Sequence, residues 1–281
     1  MPALDILKFT SKLNQNGDGL WVSHSERSIS YPQDGNDSCQ GIETDSFWFN
    51  HRNKVIITLV TSFSPSGPLF DVGAGNGYVA MALQRSGIDT VAVEPGTQGA
   101  HNAKTRGLHT VIRATLEDCD FQDHTIPAFG LFDVLEHIPN DAEFLRCLYR
   151  QLLPEGYLYV TVPAYNFLWS IDDAYAQHHR RYTVTSLRKS LQKAGFVVKY
   201  CSYFFFVLAP AIFIFRTLPS RLRFRRANDM SSISQQHIPP PGILGKIIDR
   251  ALTYEFLRIE NKKTLPAGGS CIAVAQKRRT S

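Results

Sequence analysis

The sequence predicts an α/β protein built on a doubly wound, mainly parallel sheet. Apolar runs of strand length alternate with amphipathic segments of helix length between residues 47 and 201. A glycine-rich turn, GAGNG at 73–77, joins the first of these strands to the next helix, and Glu94 closes the following strand. Ligands of such sheets bind beyond the carboxyl ends of the strands, which is where both features lie.

Each element follows from the spacing of its apolar residues. Helical spacing predicts a helix over 47–63, ahead of the first strand, and near-helical spacing indicates another over 243–260. The predicted strands are 68–72, 90–93, 110–112, 129–134, 157–162, 196–200 and 270–278, and the helices between them are 78–86, 99–106, 141–153 and 184–194.

This pattern divides the chain into three parts. Residues 1–46 are polar and rich in turn-forming residues, which predicts an irregular N-terminal arm with one short strand near 28–31. Residues 47–201 and 269–281 form the core. The intervening 202–268 is too long for a loop of a compact sheet, so it is expected to be a helical insertion between the sixth and seventh core strands.

Composition excludes several classes of protein. Thirty Lys and Arg against 25 Asp and Glu give a formal charge of +5, too mild an excess to point to nucleic acid. Five scattered cysteines without a C-x-x-C pair argue against a disulfide framework and a zinc site, and they favour a reducing cytoplasm. The first ten residues lack the apolar stretch of a secretory signal.

The glycine loop predicts a nucleotide-like ligand. It has G-x-G-x-G spacing, and the bulky Tyr78 stands where a dinucleotide-binding fingerprint needs its later glycine. The carboxylate of Asp71 at the end of the first strand would repel a pyrophosphate but suits a cationic ligand. Glu94 lies where a carboxylate accepts both hydroxyls of a ribose. Leu116 and Asp118 are candidates to cover an adenine and bond its amine, or else they form a plain capping turn.

Four segments resemble the successive motifs of class I S-adenosylmethionine-dependent methyltransferases: DVGAGNG, VAVEP, LFDVLEHIP and LPEGYLYVTVP, within residues 68–162. The resemblance implies a Rossmann-like seven-stranded sheet of order 3-2-1-4-5-7-6 with strand 7 antiparallel. It also implies S-adenosylmethionine as the cofactor. The cofactor-binding residues that follow are Asp71, Gly73, Ala74, Gly75, Gly77, Glu94, Leu116, Asp118 and Asp133, although Glu136 competes with Asp133 as the acid at the tip of strand 4.

The flanking segments SFWFNHRN and HHRRYT resemble a narrower group of methyltransferase-domain proteins found with polysaccharide or lipid-linked sugar pathways. That resemblance implies a polar acceptor, phosphorylated or carried on a lipid. We therefore expect a methyltransferase that acts on a small or lipid-linked, anionic acceptor, at oxygen rather than nitrogen or carbon. The rival interpretations are a non-catalytic scaffold relative that binds the donor and a Rossmann-type NAD(P) oxidoreductase.

Transfer to a hydroxyl requires a general base, for which histidine is suited near neutral pH. His137, His178 and His179 are the candidates, and the alternative for His137 is a supporting role in the cofactor pocket. No metal is expected, because a site on Asp133, Glu136 and His137 would need contiguous ligands on one turn to point together.

Arg180, Arg181 and Tyr182 in HHRRYT are predicted to bind the acceptor, because guanidinium groups suit phosphate and carboxylate. The alternative is that one arginine pairs with Asp172 or Asp173 and ties the loop down. Aromatic residues are candidates to roof the pocket, although such residues are more often part of a core. They are Trp48, Phe49 and Trp169.

The segment 203–226 admits two interpretations. Its apolar part, YFFFVLAPAIFIF at 203–215, is too short to span a bilayer, and five arginines follow it. This composition is typical of a helix that lies in an anionic membrane interface, and we expect a cytoplasmic protein that associates with membranes this way. The alternative is a buried hairpin that completes the core or a dimer interface.

Overall fold

The computed structural model describes residues 4–23, 46–222 and 242–279. The strand expected near 28–31 and the last arginines of the basic segment, from Arg223 on, lie outside these ranges. The described chain forms a mixed sheet with helices on both faces, as the alternation of elements predicts.

The sheet has nine strands in the order β1-β2-β5-β4-β3-β6-β7-β9-β8. The strands are β1 Leu13–Gln15, β2 Trp21–Ser23, β3 Leu69–Val72, β4 Thr90–Val93, β5 Thr110–Arg113, β6 Ile126–Phe132, β7 Leu152–Pro163, β8 Val197–Phe204 and β9 Ser270–Gln276. Strands β3 to β7 pair in parallel, and β9 runs antiparallel to both β7 and β8. The seven-stranded order of the sequence analysis is present from β5 to β8, but the count of seven is wrong.

The two additional strands come from the N-terminal arm. β1 and β2 form a hairpin, and β2 pairs in parallel with β5 at the edge of the sheet. Ile6 and Leu13 are almost completely buried in the same core cluster as the sheet residue Phe70. The described part of the arm is therefore ordered, which the polar composition of residues 1–46 did not predict.

The six predicted helices lie close to their predicted positions, and the described ranges contain four further short helices that were not predicted individually. They are α1 Phe47–Ser62, α2 Tyr78–Arg85, α3 Thr97–Thr105, α4 Leu116–Cys119, α5 Asp141–Gln151, α6 Ile171–Tyr175, α7 Val184–Lys193, α8 Leu208–Ile212, α9 Leu218–Arg221 and α10 Ile243–Glu260, with a π-helical turn at Phe213–Thr217 and 3₁₀ turns at Ile6–Lys8, Leu135–His137 and Asn166–Leu168. The Ser46 side chain caps α1 by accepting from the N–H of Phe49, which orients the start of this helix.

The insertion packs on the core through α10. Its Glu255 is buried, lies 2.8 Å from His51 of α1, and accepts hydrogen bonds from the N–H groups of Phe205 and Phe206. Leu252 and Ile259 complete the apolar contact with α1 and the sheet. These contacts fix the chain where it leaves β8.

The apolar run 203–215 is buried in its first part, as one interpretation of the sequence expects, and exposed in its last part, as the other expects. Phe204, which ends β8, and the next residue Phe205 are buried, whereas Ile214 and Phe215 are 52% and 66% exposed. Within the described ranges, no helix is long and apolar enough to cross a membrane.

Candidate active site

The glycine loop after β3 turns sharply enough that its backbone forms one wall of a cavity. Gly73, Gly75 and Gly77 all have positive φ values, a region that disfavours other residues. A Cβ at Gly73 would lie 2.7 Å from a methyl group of Val134. The N–H groups of Gly73 and Ala74 bond to the carbonyl of Val93, which holds the loop against the end of β4.

Glu94 holds the loop from the neighbouring strand. One carboxylate oxygen accepts from the N–H of Gly75 and the other from the N–H of Gly96, both at 2.7 Å. Burial raises the pKa of Glu94, and these two hydrogen bonds oppose that rise. The carboxylate is thus fixed in orientation at the cavity wall.

Asp71 supplies a second acid to this cavity. Burial and the nearby charge of Glu94 raise its pKa to about 7, although Arg52 acts in the opposite direction. Its Oδ2 atom is buried without a hydrogen-bond partner. A buried carboxylate oxygen without a partner favours a cationic ligand.

The cavity has a volume of about 410 Å³, within the roughly 300–1,000 Å³ range of small-molecule sites. Seven of the predicted cofactor residues line it: Asp71, Gly73, Ala74, Gly75, Glu94, Leu116 and Asp133. Phe49, predicted as a roof residue, also lines it.

Gly77 and Asp118 do not line this cavity. A Cβ at Gly77 would lie 2.6 Å from Leu108 and 2.8 Å from Ala103, so this glycine serves the packing of the helix start. The Asp118 carboxylate accepts a hydrogen bond from the Thr115 hydroxyl, which is the capping turn named as its alternative. Their prediction as cofactor contacts has no support in this geometry.

Asp133, at the tip of β6, is held by two side chains. Arg52 lies 2.7 Å from its Oδ2, and Thr161 donates to its Oδ1. The same Arg52 donates to the carbonyl of Phe132. Of the two acids considered for this tip, Asp133 lines the first cavity and Glu136 does not.

A second cavity of about 330 Å³ adjoins the first. Asp133 and His137 line both, and the other charged or imidazole side chains of the second cavity are Glu136, Asp172, Asp173, His178, Arg181 and Arg216. Trp48 forms part of its wall and stacks on Phe205, whereas Trp169 lines neither cavity.

Two of the three predicted histidines meet in the second cavity. The rings of His137 and His178 lie edge to face with centroids 4.6 Å apart. Burial and the neighbouring His178 lower the pKa of His137 to about 4. His179 is exposed and lines neither cavity, so the structure does not bring this candidate base to the site.

Glu136 lies beside these two histidines. One ligand atom from each of Glu136, His137 and His178 falls within 4.8 Å of the others. Burial, followed by the charge of Asp133, raises the pKa of Glu136 well above its ordinary value. The expectation that no metal-binding group exists here considered only contiguous residues, and it overlooked that His178 approaches from another loop.

The residues predicted to bind the acceptor are engaged by carboxylates. Arg181 donates two hydrogen bonds to Asp173, at 2.7 and 2.9 Å, which is the loop tie named as the alternative. Arg180 pairs with Asp141, and the buried Tyr182 donates to the same Asp141. Only Arg181 of the three lines the second cavity.

Asp173 organises this loop. Although burial opposes ionisation, the hydrogen bonds from His178 and Arg181 hold the pKa of Asp173 well below its usual range. Its carboxylate also accepts from the backbone of Ser170, which begins α6. The HHRRYT segment therefore shapes the second cavity mainly through this buried carboxylate.

Sequence reasoning missed Arg52 and Arg216 as cavity residues. Arg52 lies one helical turn after Phe49, a spacing that places both on one face of α1 and could have indicated it. Arg216 had no such signal, because its position depends on how the insertion packs. Its guanidinium lies 5.9 Å over the ring of Trp48.

Comparison with known proteins agrees with this geometry. A family model described as "Methyltransferase domain" matches residues 48–200. Ubiquinone biosynthesis O-methyltransferases from Photobacterium profundum and Psychrobacter arcticus are 25% and 27% identical over 97 and 152 residues. These matches cover 32% and 46% of this chain and only 41% and 58% of the relatives, so less than two thirds of either relative is spanned.

Among solved structures, phosphoethanolamine N-methyltransferase 2 of Haemonchus contortus, in complex with S-adenosyl-L-methionine, aligns with a TM-score of 0.56. The alignment covers 89% of this chain and 58% of that protein at 15% identity, which shows a shared fold. The glycine cradle, Glu94 and the unpartnered oxygen of Asp71 fit S-adenosylmethionine, a cationic nucleoside, in the first cavity. With the family match extending over more than half of its length, the chain belongs to the class I S-adenosylmethionine-dependent methyltransferases.

Proposed function

We propose that the chain transfers the methyl group of S-adenosylmethionine to an oxygen atom of a small or lipid-linked acceptor held in the second cavity. The observation that carries this proposal is that Asp133 and His137 line both cavities. S-adenosylmethionine, when bound, supplies a methyl group on a positively charged sulfur. The chain's task is to align the acceptor oxygen with that group and to exclude water, and alignment alone can contribute roughly 7 kcal/mol or more.

In this proposal the first cavity binds the methyl donor and the second binds the acceptor. The glycine loop and Glu94 hold the donor, while Asp71 faces its positive charge. The acceptor lies against the second cavity, where His137 and His178 are the imidazoles near an acceptor hydroxyl whose proton has to leave.

An anionic acceptor is supported by Arg216. Arg181 also lines the second cavity, where its guanidinium pairs with Asp173. Arg216 lies on the insertion and contributes a cationic group to the same wall. A phosphate or carboxylate of the acceptor would find its positive partner there.

A lipid-linked acceptor is supported by the helical segment 208–222. Ile212 and Arg216 of this segment line the second cavity. Four residues of the same segment form an apolar ridge, each at least 40% exposed: Ile214, Phe215, Leu218 and Leu222. We infer that this ridge rests on the cytoplasmic surface of an anionic membrane, so that a lipid-carried group reaches the cavity.

Transfer to oxygen is favoured over transfer to nitrogen by the names of the two sequence relatives reported above, which are O-methyltransferases. The structural neighbour named an N-methyltransferase shares the fold at 15% identity and carries no argument about the acceptor atom. We therefore treat oxygen as the proposed site of methylation.

The test is to incubate the protein with a methyl-labelled donor and separate lipid and aqueous fractions of a bacterial extract. We expect label in a product whose methyl group is carried on oxygen, identified by mass spectrometry, and no label with Glu94→Ala. Donor binding without any labelled product would instead support the non-catalytic scaffold. A rise in NADH fluorescence on mixing would support the oxidoreductase.

A further inference from the structure

We propose that Glu136, His137 and His178 bind one divalent transition-metal cation at the wall of the second cavity. The three residues come from two separate segments. Glu136 and His137 lie in the 3₁₀ turn that follows β6, and His178 lies in the loop after α6. One ligand atom from each is within 4.8 Å of the other two, which is the spacing of groups that share a single ion.

The carboxylate of Glu136 gives independent support for a cation. Glu136 is 1% exposed, and its Oε2 atom has no hydrogen-bond partner. The two guanidinium groups whose charges act on Glu136 each pair with another acid, Arg52 with Asp133 and Arg181 with Asp173. Among the described residues Glu136 has no ion-pair partner, and an unpaired buried carboxylate is costly unless a positive charge is supplied.

The histidines are held in the way metal-binding histidines usually are. Nδ1 of His178 lies 2.8 Å from Oδ1 of Asp173, which directs Nε2 away from that carboxylate. The ring of His137 hydrogen-bonds to the backbone of Ala176. A carboxylate or backbone carbonyl on the second ring nitrogen fixes the tautomer and orientation of a ligand histidine.

The ligand set indicates the kind of cation. Two imidazoles and one carboxylate suit Zn²⁺, Mn²⁺ or Fe²⁺, and they leave coordination positions open. Mg²⁺ and Ca²⁺ prefer sites made of oxygen ligands only. The site opens into the second cavity, so an oxygen of the acceptor can occupy an open position.

A cation here would lower the pKa of a coordinated hydroxyl and orient it toward the donor cavity. His137 and His178 would then serve as ligands. The proton of the coordinated hydroxyl would pass to solvent water in the second cavity, and its oxygen would form the bond to the methyl carbon as the methyl–sulfur bond of the donor breaks. This role in transfer rests on the proposed function, whereas binding of the cation does not.

The test uses full-length protein without a tag, treated with a chelator and titrated with Zn²⁺ in a calorimeter. We expect one high-affinity site per chain, and Glu136→Gln or His178→Ala should weaken it by about tenfold or more. The matched control is His179→Ala, which removes an adjacent exposed imidazole outside the group and should leave affinity unchanged. Co²⁺ should give a visible spectrum that changes in the two ligand variants and not in the control.

S-adenosylhomocysteine binding, measured on every variant, reports whether the fold and the donor site are intact. If His178→Ala loses this binding, Glu136→Gln decides the question. Donor binding without Zn²⁺ binding in the unmodified protein would overturn the cation site and leave the proposed function standing. Equal losses in His179→Ala and His178→Ala would show adventitious surface binding and would also overturn it.

Discussion

Glu94 joins two parts of the donor cavity, because its oxygens accept from the backbone of Gly75 and of Gly96. We expect Glu94→Ala to weaken S-adenosylhomocysteine binding by about 1.5–3 kcal/mol, which is about tenfold or more. Calorimetry measures this, and Glu260→Ala on the exposed end of α10 is the control. Unchanged affinity in Glu94→Ala would remove the assignment.

Asp71 predicts a pH dependence of donor binding. Since its pKa is raised to about 7 by burial, a large fraction of this carboxyl is protonated near neutrality in the free protein. A cationic donor favours the carboxylate, so affinity should rise between pH 6 and pH 8 by up to about tenfold, with proton release on binding. Calorimetry in buffers of different ionisation enthalpy detects that proton.

The control is Asp71→Asn, which should bind more weakly at pH 8 and lose the pH dependence. The unliganded protein should behave in the opposite sense. An acid whose pKa is raised by folding contributes stability below its unfolded pKa of about 4, and this contribution is lost as pH rises to about 7. Parallel pH profiles of the variant and the unmodified protein would contradict the role of Asp71.

At the scale of the element, the helical segment 208–222 has two faces with different tasks. One face reaches the second cavity, and the other carries the apolar ridge. Substitutions in the ridge should therefore leave the fold intact, because its four residues are exposed and contribute little to the core.

We expect the protein to sediment with phosphatidylglycerol vesicles at low salt, and Phe215→Ser to weaken that binding by about tenfold or more. The reason is that a phenylalanine transferred from water into the bilayer interface contributes about 1.5–3 kcal/mol. Leu7→Ser changes a similarly exposed residue of the N-terminal 3₁₀ turn, outside the segment 208–222, and is the control. Equal binding of Phe215→Ser and unmodified protein would argue against the membrane surface.

At the scale of the whole molecule, the N-terminal segment belongs to the core of the sheet. Ile6 is fully buried, whereas the adjacent Leu7 is 56% exposed. Ile6→Ala should lower the free energy of unfolding by about 2–5 kcal/mol, because it leaves a cavity beneath the sheet. Leu7→Ala should stay within about 0.5 kcal/mol. Denaturant unfolding of the two variants measures the difference, and equal stabilities would mean that the segment is not part of the folded core.

The sequence alone was sufficient for features that depend on neighbouring residues. Apolar spacing located the helices and strands of residues 47–201, and the spacing of the glycine loop with Asp71 and Glu94 indicated the donor cavity. These features are local, since periodicity, glycine turns and strand ends are set within a few residues.

Only the tertiary structure decided which distant side chains meet. It paired Arg181, which was predicted to bind the acceptor, with Asp173 of the same loop. It also brought His178 close to Glu136 and His137. It also added β1 and β2 to the sheet and divided the apolar run 203–215 between core and surface. Such contacts depend on long-range packing and on burial of charge, for which a linear pattern carries no signal.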